Sequence, residues 1–362
     1  MKRDGSAELM SSYFKSKQSN MQKSRPRLTE DEFEIVKEYR NRNKGIAGEC
    51  EAVGIDLKDV KHYWYKGEHY SINAKGAEAV ALQDVMNSII EEMKSYAPTY
   101  PSILYPNISD PHLLVISPAD VHLNKLCSAF ETGDEYTIEI ACKRVKDGII
   151  ELLKKATPYN IDKILFIVGN DILHTDNAKS TTTSGTFQDT QLMWYDAFII
   201  GKKLIVEVIE MLLTVAPVKV QYNPSNHDYT NGFFLAQVLE SWFSKCDAIS
   251  FDVSMSHRKY FVYGNNIVAT THGDGAKETD LALLMAHECS YWSRCKHKYF
   301  YIHHIHHKKS KDYMSVTVEA LRSPSGTDSW HHRNGYQHAP KAIEAFLHHP
   351  LHGQICRLTH YF

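Results

Sequence analysis

Five short stretches of this sequence carry side chains able to hold metal ions. They are Asp120-Val121-His122, Gly169-Asn170-Asp171-Ile172-Leu173-His174, Ser225-Asn226-His227-Asp228, Thr271-His272-Gly273 and His303-His304-Ile305-His306. Every stretch supplies Asp, Asn or His and none supplies Lys or Arg. Two divalent cations about 3.5–4 Å apart need a carboxylate between them and oxygen or neutral imidazole donors on each side. A mixed Asp, Asn and His set suits Mn2+ first, with Fe2+ or Zn2+ as other candidates, whereas an all-carboxylate set would favour Mg2+ or Ca2+. None of these stretches contains cysteine, which argues against a structural zinc finger. The chain holds 21 histidines, and 13 of them lie between His287 and His360, which again points to metal or proton chemistry.

Each stretch follows a short apolar run. The runs are Leu113 to Ile116, Ile164 to Val168, Val218 to Tyr222, Ile267 to Thr270 and Tyr299 to Ile302. Helical patterns at 136–156, 192–215, 231–245 and 277–290 alternate with these strand-like runs, which indicates a layered α/β fold. Ligands in such folds gather beyond the carboxyl ends of the strands, where all five polar stretches fall.

DxH, a GD-type element, NHD, a lone His after a strand and HxH, in that order over about 112–320, resemble the calcineurin-like metallophosphoesterase superfamily. The resemblance implies a β-sandwich flanked by helices (αββα) and two divalent metal ions. Asp120, His122 and His306 would hold one ion, Asn226, His272 and His304 the other, and Asp171 would bridge them. By the same likeness His227 contacts the scissile phosphate, Asp228 orients His227 through its other nitrogen, and in-line attack by a metal-bridging hydroxide cleaves the ester. This sequence departs from the pattern in three places: Asn170 is inserted between Gly169 and Asp171, Ser225 replaces the glycine before NHD, and His303 replaces the glycine before HxH. The cluster 303–307 admits two registers, of which 304 and 306 match the family spacing. His174, three residues after Asp171, is similar to a histidine of the recombination-repair nucleases in that superfamily. Together with an N-terminal domain suited to nucleic acid, it implies a phosphodiesterase acting on DNA. The other readings are a phosphomonoesterase or nucleotide phosphodiesterase, or a DNA-binding protein with an inactive phosphoesterase module.

Four segments are expected: a mobile arm over 1–28, a winged helix-turn-helix-like domain over 29–76, a connecting helix and linker over 77–111, and the phosphoesterase domain over 112–362. Thr29 and Glu32 form a capping box, so a helix should begin there. Ile46 to Val53 fits a second helix and Leu57 to Tyr65 a third, followed by a hairpin around His69 to Asn73. The third helix would present Lys58, Lys61, His62, Tyr63 and Lys66 to phosphates and base edges. Against DNA binding, residues 29–100 carry 9 basic and 14 acidic groups. Near the C-terminus, Trp330 and Tyr336 could stack on bases with Arg333 on phosphate, while the plainer reading makes Trp330 an anchor of the tail. Thr175 to Gln191 reads as a mobile loop over the site, and the tail resembles that of metallophosphoesterases encoded by tailed bacteriophages.

The composition bounds these readings. The 362 residues carry 41 Lys+Arg against 43 Asp+Glu, so no overall basicity advertises a nucleic-acid partner. Seven scattered cysteines without a CxxC pair and no apolar leader predict reduced thiols in a cytoplasm, that of a bacterial host if the gene is viral. No run of about 18 apolar residues predicts a membrane span.

Overall fold

The structure, a computed structural model, describes residues 97–362 continuously and, before them, 29–31, 34, 62–66, 71–75 and 91. The chain divides into two compact units, Met1–Glu92 and Met93–Phe362.

In the first unit, β1 (His62–Lys66) and β2 (Ser71–Lys75) form an antiparallel hairpin in which Trp64 faces Asn73. The third helix expected over Leu57 to Tyr65 is therefore absent from 62–65. His62, Tyr63 and Lys66 sit on a strand, as the β-propensity of the aromatic run His-Tyr-Trp-Tyr favours. Lys58, Lys61, the 1–28 arm, the second helix and most of the first and connecting helices lie outside the described residues.

The second unit is the expected helix-flanked sandwich. Its elements begin with β3 (His112–Ser117), α1 (Ala129–Thr132), α2 (Ile138–Ala156), β4 (Ile161–Gly169), α3 (Trp194–Leu213), β5 (Val218–Asn223) and α4 (Tyr229–Trp242). Next come β6 (Ile249–Asp252), β7 (Lys259–Tyr263), β8 (Asn266–Thr270), α5 (Leu281–Glu288) and β9 (His297–Ile302). The last are β10 (Lys309–Tyr313), β11 (Val316–Ala320), α6 (Ser329–Arg333), β12 (Ala342–His349) and β13 (Gly353–Tyr361). One sheet runs β13-β12-β3-β4-β5-β6 and the other β10-β11-β9-β8-β7. Strands β3 to β6 are mutually parallel, as are β8, β9 and β11, so both sheets aim their carboxyl ends the same way within each sheet.

Apolar alternation explains the layers. Leu113, Val115, Leu165 and Ile167 point to one face of the larger sheet, where Val268, Tyr301 and Phe346 close the inter-sheet core. Leu114, Ile116, Ile164, Phe166 and Val168 point to the other face and meet α2, α3 and α4. Helix α2 buries Ile138, Ala141, Val145, Ile149, Leu152 and Ala156, spaced three or four apart, and Thr137 caps its start. Helix α5 covers the outer face of the smaller sheet. The proline-rich 97–111, expected as a boundary loop, packs on this unit: Tyr100 stacks on Phe243 and Tyr105 donates to the Leu213 carbonyl. Among the described residues no helix is long and apolar enough to cross a membrane.

The strand ends are held by tight backbone. Gly169 has φ +87°, and a Cβ there would stand 2.1 Å from the Asn223 carbonyl oxygen at the end of β5. Only glycine permits both that φ and that approach. Gly169→Ala should therefore lower stability by about 2 kcal/mol or more, read as a fall in the urea midpoint at unchanged m-value.

Candidate metal centre

Past the end of β4, Asn170 and Asp171 turn into the left-handed region (φ 55° and 58°), and the loop after β3 pairs with them. Asp120 N–H donates to the Asn170 carbonyl at 2.8 Å, His122 N–H to the Asp171 carbonyl at 2.9 Å, and Leu123 N–H to the Ile172 carbonyl at 2.7 Å. This short ladder prolongs the β3–β4 pairing and brings Asp120 and His122 beside Asp171. Asp120, His122, His304 and His306 also have positive φ (51°, 48°, 71° and 58°). Non-glycine residues in that region cost of order 1–3 kcal/mol each and persist only where surrounding contacts impose them.

Two donor clusters result. In the first, His122 Nε2 lies 3.1 Å from His306 Nε2, and His306 Nε2 lies 3.7 Å from Asp120 Oδ1. In the second, His272 Nε2 lies 3.1 Å from Asp171 Oδ2 and 2.9 Å from Asn226 Oδ1, with His304 beside them. Asp171 groups with the second cluster, and its Oδ1 accepts the His227 backbone N–H. A third group brings His122, His174 and His227 together, with His174 Nδ1 3.3 Å from His122 Nδ1.

Electrostatics tests whether cations fit. Two imidazole nitrogens 3.1 Å apart need a proton or a cation between them. Burial and the neighbouring imidazoles hold His122, His174 and His306 well below the ordinary imidazole range, so a proton there is disfavoured. Burial pushes Asp120 up to about 8, and its side chain accepts only the His304 backbone N–H. In the second cluster burial opposes charge on His272, yet Asp171 overrides it and raises His272 to about 9; burial likewise opposes ionising Asp171, and His272 holds that carboxyl well below its usual range. A proton on His272 thus fills part of the role of a cation. Donor spacings of about 3–3.7 Å match neighbouring ligand atoms around an ion held at roughly 2.1 Å. The residues fit two divalent ions.

The remaining predicted residues separate clearly. His303 is buried with Nε2 3.1 Å from Ser117 Oγ, and His307 is exposed, so 304 and 306 are the members of the 303–307 cluster that face the site. His227 Nδ1 lies 3.0 Å from the His174 carbonyl oxygen, which can only accept, so Nδ1 carries the proton and Nε2 is left for a ligand. Asp228 does not orient His227. Its carboxylate accepts from Ser225 Oγ at 2.6 Å and from the Leu173 N–H at 2.8 Å, bracing the loop from within. The anchor reading of Trp330 is also overturned, since its side chain is 61% exposed at the pocket mouth with Tyr336 at 5.8 Å and Arg333 on the same exposed helix α6.

Thr175 to Gln191 is a hydrogen-bonded hairpin rather than a loose loop: Gln188 N–H donates to Ser180, Thr182 N–H to Thr186, and Asp176 accepts from Thr230 and Asn231 N–H at the start of α4. Sequence reasoning missed Lys125, Asp328 and His331. Lys125 Nζ, almost fully buried, pairs with Asp328 at 2.7 Å; Asp328 caps α6 and accepts from His331 Nδ1 at 2.7 Å; the His331 ring stacks on His306 at 5.1 Å. The signal available for this chain was Asp328 in N-cap position before Ser-Trp-His-His. All these groups line one pocket of about 550 Å³.

No protein-family model matches the chain, and no curated protein matches it. Among solved structures it is similar to an archaeal phosphodiesterase at 10% identity and TM-score 0.32, over 69% of this chain and 99% of that one. It is similar to Vps29 complexed with Zn2+ from Entamoeba histolytica at 11% identity and TM-score 0.30, over 69% and 98%. It is also similar to a predicted phosphoesterase from Streptococcus pneumoniae at 10% identity and TM-score 0.27, over 71% and 99%. Likenesses this loose carry no argument about function.

Two outcomes follow for the metal centre. Elemental analysis after loading should find two Mn2+ per chain, fewer than two in Asp171→Asn, and still two in His227→Ala. In the metal-free chain, His272 and Asp120 both have raised values, so the stability they lend is present at low pH and is lost as pH rises. Thermal melts in EDTA should show lower stability at pH 9 than at pH 6.5, and Mn2+ should reverse that slope.

Proposed function

We propose that the chain is a phosphodiesterase using two divalent ions, Mn2+ foremost, and that its substrate is DNA. One observation supports this most: two Asp/His clusters share a pocket whose single lining Lys or Arg among the described residues, Lys125, is already paired with Asp328. A terminal phosphate dianion calls for further cationic donors of the kind Lys125 cannot spare. A diester carries one negative charge and needs fewer.

In this reading Asp120, His122 and His306 would hold one ion and Asn226, His272 and His304 the other, with the Asp171 carboxylate shared between them. When bound, the ions supply Lewis acidity, neutralising phosphate oxygens and making a water acidic near neutral pH. The protein's own groups do the rest. His227, fixed by its Nδ1–H bond to the His174 carbonyl, turns Nε2 to the substrate and, as the imidazolium, gives its Nε2 proton to the departing oxygen and is left as the Nδ1–H imidazole. The His174 ring accepts at Nδ1 from His122 Nδ1–H, which fixes the tautomer that leaves His122 Nε2 free as a ligand. Neutral Asn226 adds a donor without adding charge. Trp330 lines the pocket, with Tyr336 5.8 Å from it and Arg333 on the same helix, groups suited to bases and phosphate.

With Mn2+, the protein should hydrolyse bis(4-nitrophenyl) phosphate and labelled DNA far faster than 4-nitrophenyl phosphate. His227→Ala should lower kcat by about 10²–10⁴ while metal content stays at two. Hydrolysis of the monoester alone would overturn the diesterase reading, and DNA binding without any turnover would favour an inactive module.

A further inference from the structure

The ligands are sunk. Asp120, His122, Asp171 and His272 are 2% exposed or less, and His122 and Asp171 line a pocket whose 550 Å³ is the size of a small-ligand site. The rim, by contrast, is aromatic and uncovered. Phe187 on the 175–191 hairpin and Trp330 on α6 both line the pocket, 68% and 61% exposed, and Tyr336 extends the surface beside Trp330. Lys125 ties the two rim segments together: its backbone pairs with Thr190 on one side and its ammonium with Asp328 on the other. Large aromatic side chains left in water beside a phosphate-binding floor are costly unless a flat partner covers them. A nucleobase is such a partner, and every base offers a π-face.

We infer that the site takes a single strand, with Phe187 and Trp330 as stacking platforms for the bases flanking the scissile phosphate. This inference rests on the diesterase reading. A duplex keeps its bases stacked inside and presents a rigid backbone too broad to lower a phosphate to the floor, whereas an unpaired strand can splay its bases onto the rim while one phosphate descends. The platforms recognise no edge of any base, so the preference is for strandedness rather than sequence.

The test uses the full chain and three oligonucleotides of one length: a single strand, its blunt duplex, and a single strand made abasic on both sides of one phosphate. Fluorescence anisotropy with Mn2+ present, in a His227→Ala background that slows turnover, reads binding with little cleavage. The intact single strand should bind at least tenfold tighter than either of the others, and Phe187→Ala and Trp330→Ala should each weaken it about tenfold. Against the abasic strand the same variants should change affinity less than twofold, and Trp330→Phe should restore most of the loss. Equal affinity for abasic and intact strands, or equal losses by the variants on both, would overturn the inference. If the Mn2+ protein also fails to hydrolyse bis(4-nitrophenyl) phosphate, the diesterase reading itself falls; if it hydrolyses that diester and shows no dependence on bases, only the stacking inference does. Anisotropy that rises equally for all three strands would assign the aromatic rim to another kind of partner and also reject it.

Discussion

Burying three carboxyl groups with one charge-bearing imidazole, His272, among them is the constraint on which this molecule turns. Asp120, Asp171 and Asp228 are each almost fully buried, beyond the ends of β3, β4 and β5. Asp228 resolves its burial with the Ser225 hydroxyl and the Leu173 N–H, and burial together with nearby Asp171 still raises it to about 7. Asp171 resolves its burial with the His272 imidazole on Oδ2 and the His227 backbone N–H on Oδ1. Asp120 has no comparable partner. A fold that keeps that carboxyl dry, and crowds neutral imidazoles around it, leaves a place that a cation would suit.

The sandwich exists to impose that arrangement. Parallel strands of one sheet deliver Asp120, Asp171 and Asn226, and the other sheet delivers His272, His304 and His306. No local segment could hold these groups together, because they are contributed from residues 120 to 306. What holds them is the inter-sheet core, where Tyr301 stacks on Phe346 at 4.0 Å and each fully buried aliphatic or aromatic side chain contributes about 1.5–3 kcal/mol. That gain offsets left-handed backbone at Asp120, His122, Asp171, His304 and His306. Backbone strain therefore sits on the clustered Asp and His residues themselves and fixes the directions of their side chains.

Much of this was legible in the residues. Apolar runs ending in Asp, Asn and His located the strands β3, β4, β5, β8 and β9 and placed those polar side chains together at their ends, because hydrophobic burial and clusters of metal-capable groups both leave strong compositional marks. The second-order contacts were not legible. Nothing in the spacing of Asn226, His227 and Asp228 says that Asp228 turns inward to Ser225 while a main-chain carbonyl orients His227. Likewise Trp330 looks like a buried anchor by type, and only the three-dimensional course of α6 exposes it. In the N-terminal unit, Leu57 to Tyr65 has a plausible helical period, but its last four residues are aromatic and pair across a hairpin, where β-propensity and cross-strand contact outweigh periodicity.

The departures from the motif pattern become intelligible once backbone angles are known. Positions 225 and 303, where the resembling superfamily has glycine, do not lie in the left-handed region here, so a side chain costs nothing in backbone strain. Each side chain is then put to use: Ser225 Oγ accepts from the Asp171 N–H at 2.8 Å and donates to Asp228, and His303 bonds Ser117. Asn170 is different. Its carbonyl belongs to the ladder that positions Asp120, but its buried amide makes no hydrogen bond, and nothing in the structure explains that choice of side chain. Two glycines of the five stretches keep their place for backbone reasons: Gly169, where β4 meets β5, and Gly273, with φ +111°. At 120, 122, 171, 304 and 306 the left-handed turns are instead taken by Asp and His side chains, held there by the ladder and by the core beneath.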